Sequence, residues 1–224
     1  MPPTSRATRT KPNILITGTP GTGKTTLAGL VTSALPDYQL LEVGKVVAQR
    51  NLHCGRDESF DTLILDEDLL LDEMELILGG DDAGGRGVEP QHAARGGSGG
   101  WVVDYHSSDL FPERWFDMVI VLRSSTSILN DRLVMRSYSE KKISENIMCE
   151  IMDVSFNEAL EAYHPSRVLS LPSDSIEEMS DNVSRVVEWA EAWEQSMSTH
   201  GVEARIHVDI DPIGGDGDGS GAMD

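Results

Sequence analysis

Residues 13–30 read NILITGTPGTGKTTLAGL: a short apolar run, a glycine-rich turn and a helix-forming stretch in immediate succession. Within it, residues 18–25 spell GTPGTGKT, an uninterrupted G-x-x-x-x-G-K-[ST], and the pattern stands where its chemistry needs it, between a strand and a helix. Glycine lets such a loop wrap closely around phosphates while consecutive N–H groups turn inward at a helix N-terminus. Gly21 and Gly23 carry most of that requirement. Lys24 supplies a point charge to the β and γ phosphates, Thr25 offers its hydroxyl to magnesium, and Thr26 adds a hydrogen bond to the α-phosphate. These residues predict binding of ATP or GTP with Mg2+.

Working outward, apolar runs alternate with helical stretches. Strands are predicted at 13–17, 38–43, 101–105, 117–122 and 167–171, and helices near 24–34, 44–51, 66–78, 126–136, 140–163 and 175–197. Runs such as ILI and VIVL are apolar throughout, as expected of central strands covered on both faces of a parallel sheet. The predicted fold class is therefore α/β, a P-loop NTPase with a parallel β-sheet flanked by helices. In the last helix Val183, Val186, Val187, Ala190 and Trp193 recur at helical spacing, so Trp189 and Trp193 are read as packing residues.

The 224 residues suit one domain. With 18 Lys and Arg against 38 Asp and Glu, the net charge of −20 argues against broad capture of nucleic acid through phosphate contacts. A negatively charged body that binds an anion must concentrate positive potential locally, from amides, helix ends, lysine and magnesium. No apolar run approaches a membrane span, so no membrane partner is expected. The first residues lack the apolar core of a secretory signal. Two cysteines are too few for a disulfide framework, and Cys149 is expected to be buried on its helix. Nine of the 21 glycines fall in 79–100 and six more in 201–224. The reading is a disordered leader at 1–12, a nucleotide-binding domain at 13–200 with a flexible insert at 79–100, and a disordered acidic tail at 201–224.

A second motif is VVDYH at 102–106: a buried strand ending in an acid, where Walker B carboxylates hold magnesium directly or through water. Asp104 is the predicted metal ligand, and strand alternation places His106 on the same face, within reach of a water or a phosphate. Asp66, Glu67 and Asp68 are read as helix N-terminal acids. In FPERW, Glu113 and Arg114 are assigned to local ion pairs and Trp115 and Phe116 to packing. Phosphoryl transfer needs cationic groups on the moving phosphate, and Arg123, Arg132 and Arg136 are candidates; Arg132 and Arg136, spaced i, i+4, share a helical face.

Together, GTPGTGKTTL, LDED, VDYH, FPERW, SEKKISENIMCEI and LPS resemble the adenylate kinase isoenzyme 6 family, also called coilin-interacting nuclear ATPase proteins. The likeness spans about residues 12–196 apart from the glycine-rich segment. It implies that 13–200 is a nucleoside monophosphate kinase-like domain, with an adenylate kinase-like fold, a short lid and a monophosphate-binding region. The implied chemistry is transfer from ATP to AMP giving two ADP, together with ATP hydrolysis. The resemblance further implies a role in 18S rRNA maturation with a small-subunit ribosomal protein and the pre-40S particle as partners, in nucleus and cytoplasm. By the same resemblance, the D-x-H of Asp104 and His106 is the family's Walker B-like element, linked to hydrolysis. Residues 135–145 are the lid, with Arg136 touching ATP and Lys141 and Lys142 able to assist, and 42–65 is the acceptor region. Members commonly read VGDLAR where this chain has VGKVVA at 43–48, and LPSNK where it has LPSDS at 171–175. An acid is thus replaced by Lys45, an arginine by Ala48 and a lysine by Ser175. Lys45, Arg50 and Arg56 become the candidates for AMP. A small-molecule kinase of shikimate or gluconate type shares the P-loop but leaves VDYH and FPERW without a role.

Overall fold

A computed structural model describes residues 9–57, 62–78 and 99–200. The expectations for residues 1–8, for 79–98 and for the acidic tail lie outside the described residues.

Strands β1 (Ile14–Thr17), β2 (Gln39–Glu42), β5 (Trp101–Asp104), β6 (Met118–Arg123) and β7 (Val168–Pro172) form one sheet in the order β2-β5-β1-β6-β7. Every pairing in it is parallel. The apolar runs have the structural cause inferred from them. Ile14, Ile16, Val102, Ile120 and Leu122 point to one face, where they meet Leu27 and Val31 of α1 (Lys24–Ala34) and Val186 and Trp189 of α7 (Ile176–His200). Leu15, Val103, Val119 and Val121 point to the other. There they meet Val47 of α2 (Val43–Arg50), Leu70 and Met74 of α3 (Glu67–Leu78), Ala159 of α6 (Val154–Ala162), and Phe111, Trp115 and Phe116. A strand with both faces dry has no polar alternation to show. Burying each such side chain contributes about 1.5–3 kcal/mol.

The sheet order places the site. From β1 the chain crosses by α1 to the outer strand β2, returns in β5, and then crosses to β6 on the opposite side of β1. Ligands of open α/β sheets bind at such a reversal, outside the carboxyl ends of the strands. The turn after β1 is GTPGTGKT.

Four expectations are corrected. The body already includes Arg9, which the boundary at residue 13 left out: Arg9 is buried, donating to the carbonyls of Arg114 and Trp115 and pairing with Asp117 at 3.2 Å. Gly99 and Gly100, at the end of the expected insert, belong to the body too, since Gly99 bridges Lys11 and the Gly100 carbonyl accepts from Gln39 N. The antiparallel pair β3 (His53–Asp57) and β4 (Thr62–Leu65) was not predicted, because its exposure alternates over only a few residues and leaves no run to read. The helix expected over 140–163 is two: α5 (Glu140–Ile151) ends where Asp153 takes a left-handed backbone, φ 56°, before α6. An ion pair from Asp153 to Arg123 helps to hold that conformation.

Cys149 is a further correction. It is exposed, together with Met148 and Ile151. The inward position on that turn of α5 is occupied by an acid, Glu150, and this reverses the face that apolar periodicity suggests.

Candidate active site

Three glycines give the turn its shape, and Gly18, not named among the key positions, is the tightest. It has φ 135°, and a Cβ there would stand 2.5 Å from the Leu122 carbonyl oxygen. Gly21 has φ 102°, and a Cβ there would stand 2.8 Å from Leu129 Cδ1. A side chain at Gly18 would push the loop off β6, and one at Gly21 would push it off the helix that carries Leu129 and Leu133. Gly23, also at positive φ, is the N-cap of α1, so the loop delivers the free N–H groups of the first helical turn to its concave side.

Lys24 is half-buried, its Nζ donating to the carbonyls of Gly18 (2.7 Å) and Thr19 (3.1 Å). Burial lowers its pKa to about 8, with Asp104 and Glu150 acting against that and Arg136 adding to it. The ammonium is therefore predominantly charged at neutral pH and held at the rim of the nest. The Thr25 hydroxyl donates to Asp104 Oδ2 at 2.5 Å, joining the first turn of α1 to the end of β5. Burial pushes the Asp104 carboxyl above its usual range, against the Thr25 hydrogen bond and the Lys24 charge. Hydroxyl and carboxylate side by side make a pair of hard oxygen donors.

A cleft of about 1130 Å³ opens in front of these groups. Lys24, Thr25, Asp104, His106 and Arg136 all line it, so five of the predicted site residues meet in one space. His106 lies two residues beyond the end of β5, its ring 4.4 Å from that of Tyr105. Burial and then the Lys24 charge lower its pKa, which favours the neutral imidazole despite Asp109. Thr26 is exposed on the first turn of α1.

Arg132 and Arg136 part company. Arg136 closes α4 (Thr126–Met135) and reaches the cleft, whereas Arg132 donates to the Gly21 carbonyl (3.5 Å), Ser124 Oγ (3.3 Å) and the Asp174 carbonyl (3.3 Å). Arg132 thus pins the outside of the phosphate loop to the loops after β6 and β7. Arg123 is not available to a nucleotide, because its guanidinium is committed to Glu150 and Asp153. Lys141 stands 4.0 Å from Glu145, and Lys142 lies over the Tyr138 ring at 4.5 Å.

The acceptor side of the cleft is built by Glu42, Lys45, Arg56, Leu63 and Glu67, all within or beside the predicted 42–65 segment. Lys45 carries an ion pair to Glu42 at 2.5 Å, while Arg50 turns away to Glu73 at 2.7 Å. Of the LDED acids, Asp66 caps α3 by accepting from Leu69 N at 3.1 Å. In FPERW the ion pairs are long-range rather than local: Arg114 with Glu75 and Glu113 with Arg167.

This geometry agrees with what related proteins are. The family described as AAA domain matches residues 14–153. An adenylate kinase isoenzyme 6 homolog of Dictyostelium discoideum is 43% identical over 185 residues, covering 83% of this chain and 95% of the relative. Another, of Caenorhabditis elegans, is 45% identical over 183 residues, covering 82% of this chain and 91% of the relative. The chain belongs to the adenylate kinase isoenzyme 6 family. It is an adenylate-kinase-like P-loop kinase. Among solved structures, shikimate kinase from Acinetobacter baumannii matches with a TM-score of 0.53 at 12% identity, over 84% of this chain and 98% of that one, a likeness of fold alone.

In this member of the adenylate kinase isoenzyme 6 family, the structure gives Ser175 a local role. Ser175 caps α7: its Oγ accepts from Glu178 N at 3.1 Å, and Glu178 returns to the N–H groups of Asp174 (2.6 Å) and Ser175 (3.3 Å). That is a capping box. Two contributors to the site escaped the sequence reading, Glu150 and Asp174. Glu150 is buried against Thr19 of the phosphate loop, and Asp174 accepts from Ser124 Oγ (2.6 Å) and Ser125 N (2.8 Å). Each is an acid whose partner is distant in sequence, and since the helix was expected to run on to residue 163, no local signal marked either.

Proposed function

We propose that the chain transfers the γ-phosphoryl group of ATP to AMP or a related nucleoside monophosphate, giving two ADP, and hydrolyses ATP when the acceptor is missing. The observation that carries this reading is the cleft shared by the phosphate loop, Asp104 and the acceptor segment. Phosphoryl transfer asks the protein for positioning and charge rather than covalent chemistry. Lys24 sets a positive charge at the β and γ phosphates, Arg136 faces the moving group, and Lys45 and Arg56 face the acceptor. The donor pair of Thr25 and Asp104 fits Mg2+, which is held by one or two protein oxygens and otherwise by phosphates and water. Held by Thr25 and Asp104, the ion would supply positive charge to offset that of the phosphates. His106, neutral at the cleft, serves to orient a water.

ADP formation with Mg2+ and ATP, measured with and without AMP, tests the reading. A rate that rises at least tenfold with AMP supports the kinase. A second reading, an ATPase switch with little AMP kinase activity, draws on the acceptor side, where Arg50 is turned to Glu73 and Ala48 brings no charge; AMP-independent phosphate release would favour it. Resemblance further suggests service in 18S rRNA maturation, with a small-subunit ribosomal protein on the pre-40S particle, in nucleus and cytoplasm. Sedimentation of the tagged protein with pre-40S particles from both compartments checks this, and absence from those fractions rejects it.

A further inference from the structure

Glu150 occupies a place that local energetics disfavours. It is the penultimate residue of α5, where the helix dipole opposes an acid, and it is 4% exposed, where a carboxylate needs partners. It has them, from two other elements. Oε2 accepts from Thr19 Oγ1 at 2.5 Å, and Oε1 accepts from Arg123 Nε and from Ser124 N, both at 2.9 Å. Arg123 also reaches the Glu150 carbonyl at 3.3 Å, so side chain and helix end are gripped together.

Those partners matter for what they touch. Thr19 belongs to the phosphate loop, and its carbonyl accepts from Lys24 Nζ at 3.1 Å and from Thr22 Oγ1 at 2.9 Å. Arg123 and Ser124 close β6, from which α4 leads to Arg136 at the cleft. At its other end α5 begins four residues after Arg136. One carboxylate thus ties the phosphate loop, the end of β6 and the helix that follows the arginine. A sequence that breaks a local rule and compensates through distant partners is expected where function needs the arrangement.

We propose that Glu150 is a positioning residue for phosphoryl transfer: through Thr19 it holds the phosphate loop, and the Lys24 carried on it, in register with the helix that returns from Arg136. The inference rests on the kinase or ATPase reading above. Loop contacts to the phosphates strengthen as charge moves in the transition state, so loosening the loop lowers kcat more than it weakens ground-state binding.

The test is a double-mutant cycle in the full chain with Mg2+ and ATP, comparing Glu150→Gln, Thr19→Val and the pair. Each single variant is expected to lower kcat at least fivefold while KM for ATP changes less than twofold, and the pair is expected to be no worse than the poorer single variant. Additive losses overturn the proposal, as does a lowered melting temperature with unchanged kcat, which would mark a purely structural staple, or a raised KM with unchanged kcat. Should Glu150→Gln fail to fold, Thr19→Val, which removes one hydroxyl from a site already filled by a β-branched side chain, carries the same expectation by itself. Inactivity of the unmodified chain would instead reject the functional reading and is separately visible in the same assay.

Discussion

At the scale of single residues, the site depends on charges placed by backbone. Lys24 reaches the cleft because Gly18 and Gly21 adopt conformations closed to other residues, and its two carbonyl contacts hold the ammonium ready. Lys24→Ala is expected to reduce turnover about a hundredfold or more, as removal of a transition-state contact does. His106 differs in kind. Its ring touches the cleft and Tyr105 but takes no part in the loop, so His106→Ala is expected to slow phosphate release more than tenfold while the Kd for ATP, measured by calorimetry, moves less than threefold. Equal loss of both would make His106 a structural residue. The glycines, Lys24 and Thr25 were legible from spacing because a phosphate nest is a local object, made within eight consecutive residues. Arg123 was misread for the opposite reason, since its partners Glu150 and Asp153 lie 27 and 30 residues away.

At the scale of elements, the ends of helices decide most of the site. Asp174 stands between β7 and α7 and joins them to the loop after β6. Burial pushes its carboxyl up, but hydrogen bonds from Ser124 and Ser125 and the charge of Arg132 outweigh that and hold it below its ordinary value. The unfolded chain, with an aspartate near pKa ~3.9, therefore takes up the proton first. The stabilisation is present above about pH 4 and is lost as pH falls through the lowered folded value. Asp174→Asn should consequently melt below the parent protein at pH 7, with the gap closing toward pH 3; a gap independent of pH would assign the loss to shape rather than charge. The break between α5 and α6 belongs to this scale too. Its sequence, EIMDVSF, shows neither proline nor glycine, and nothing local announces that Asp153 leaves the helix.

For the whole molecule, the two ends of the sheet carry different tasks. The carboxyl ends of the strands hold the cleft, while at the opposite end Arg9 ties the segment before β1 to Asp117 and to the carbonyls of Arg114 and Trp115. Breaking a buried pair costs about 3 kcal/mol, so Arg9→Ala should lower the melting temperature by roughly 6 to 12 °C and leave turnover at 25 °C within twofold. A large fall in turnover would show that the far end of the sheet reaches the site. By itself the sequence determined the parallel sheet, the phosphate loop and the acid that ends β5, because doubly buried strands and a glycine turn write their physics into consecutive residues. Only the tertiary structure decided which of Arg123, Arg132 and Arg136 faces the cleft, that Cys149 turns outward, that β3 and β4 pair, and that Glu150 lies against the phosphate loop. The β3–β4 pair was hidden because its alternation is too short to read; the other outcomes come from contacts between segments far apart in the chain, and such contacts leave no period or spacing in any one of them.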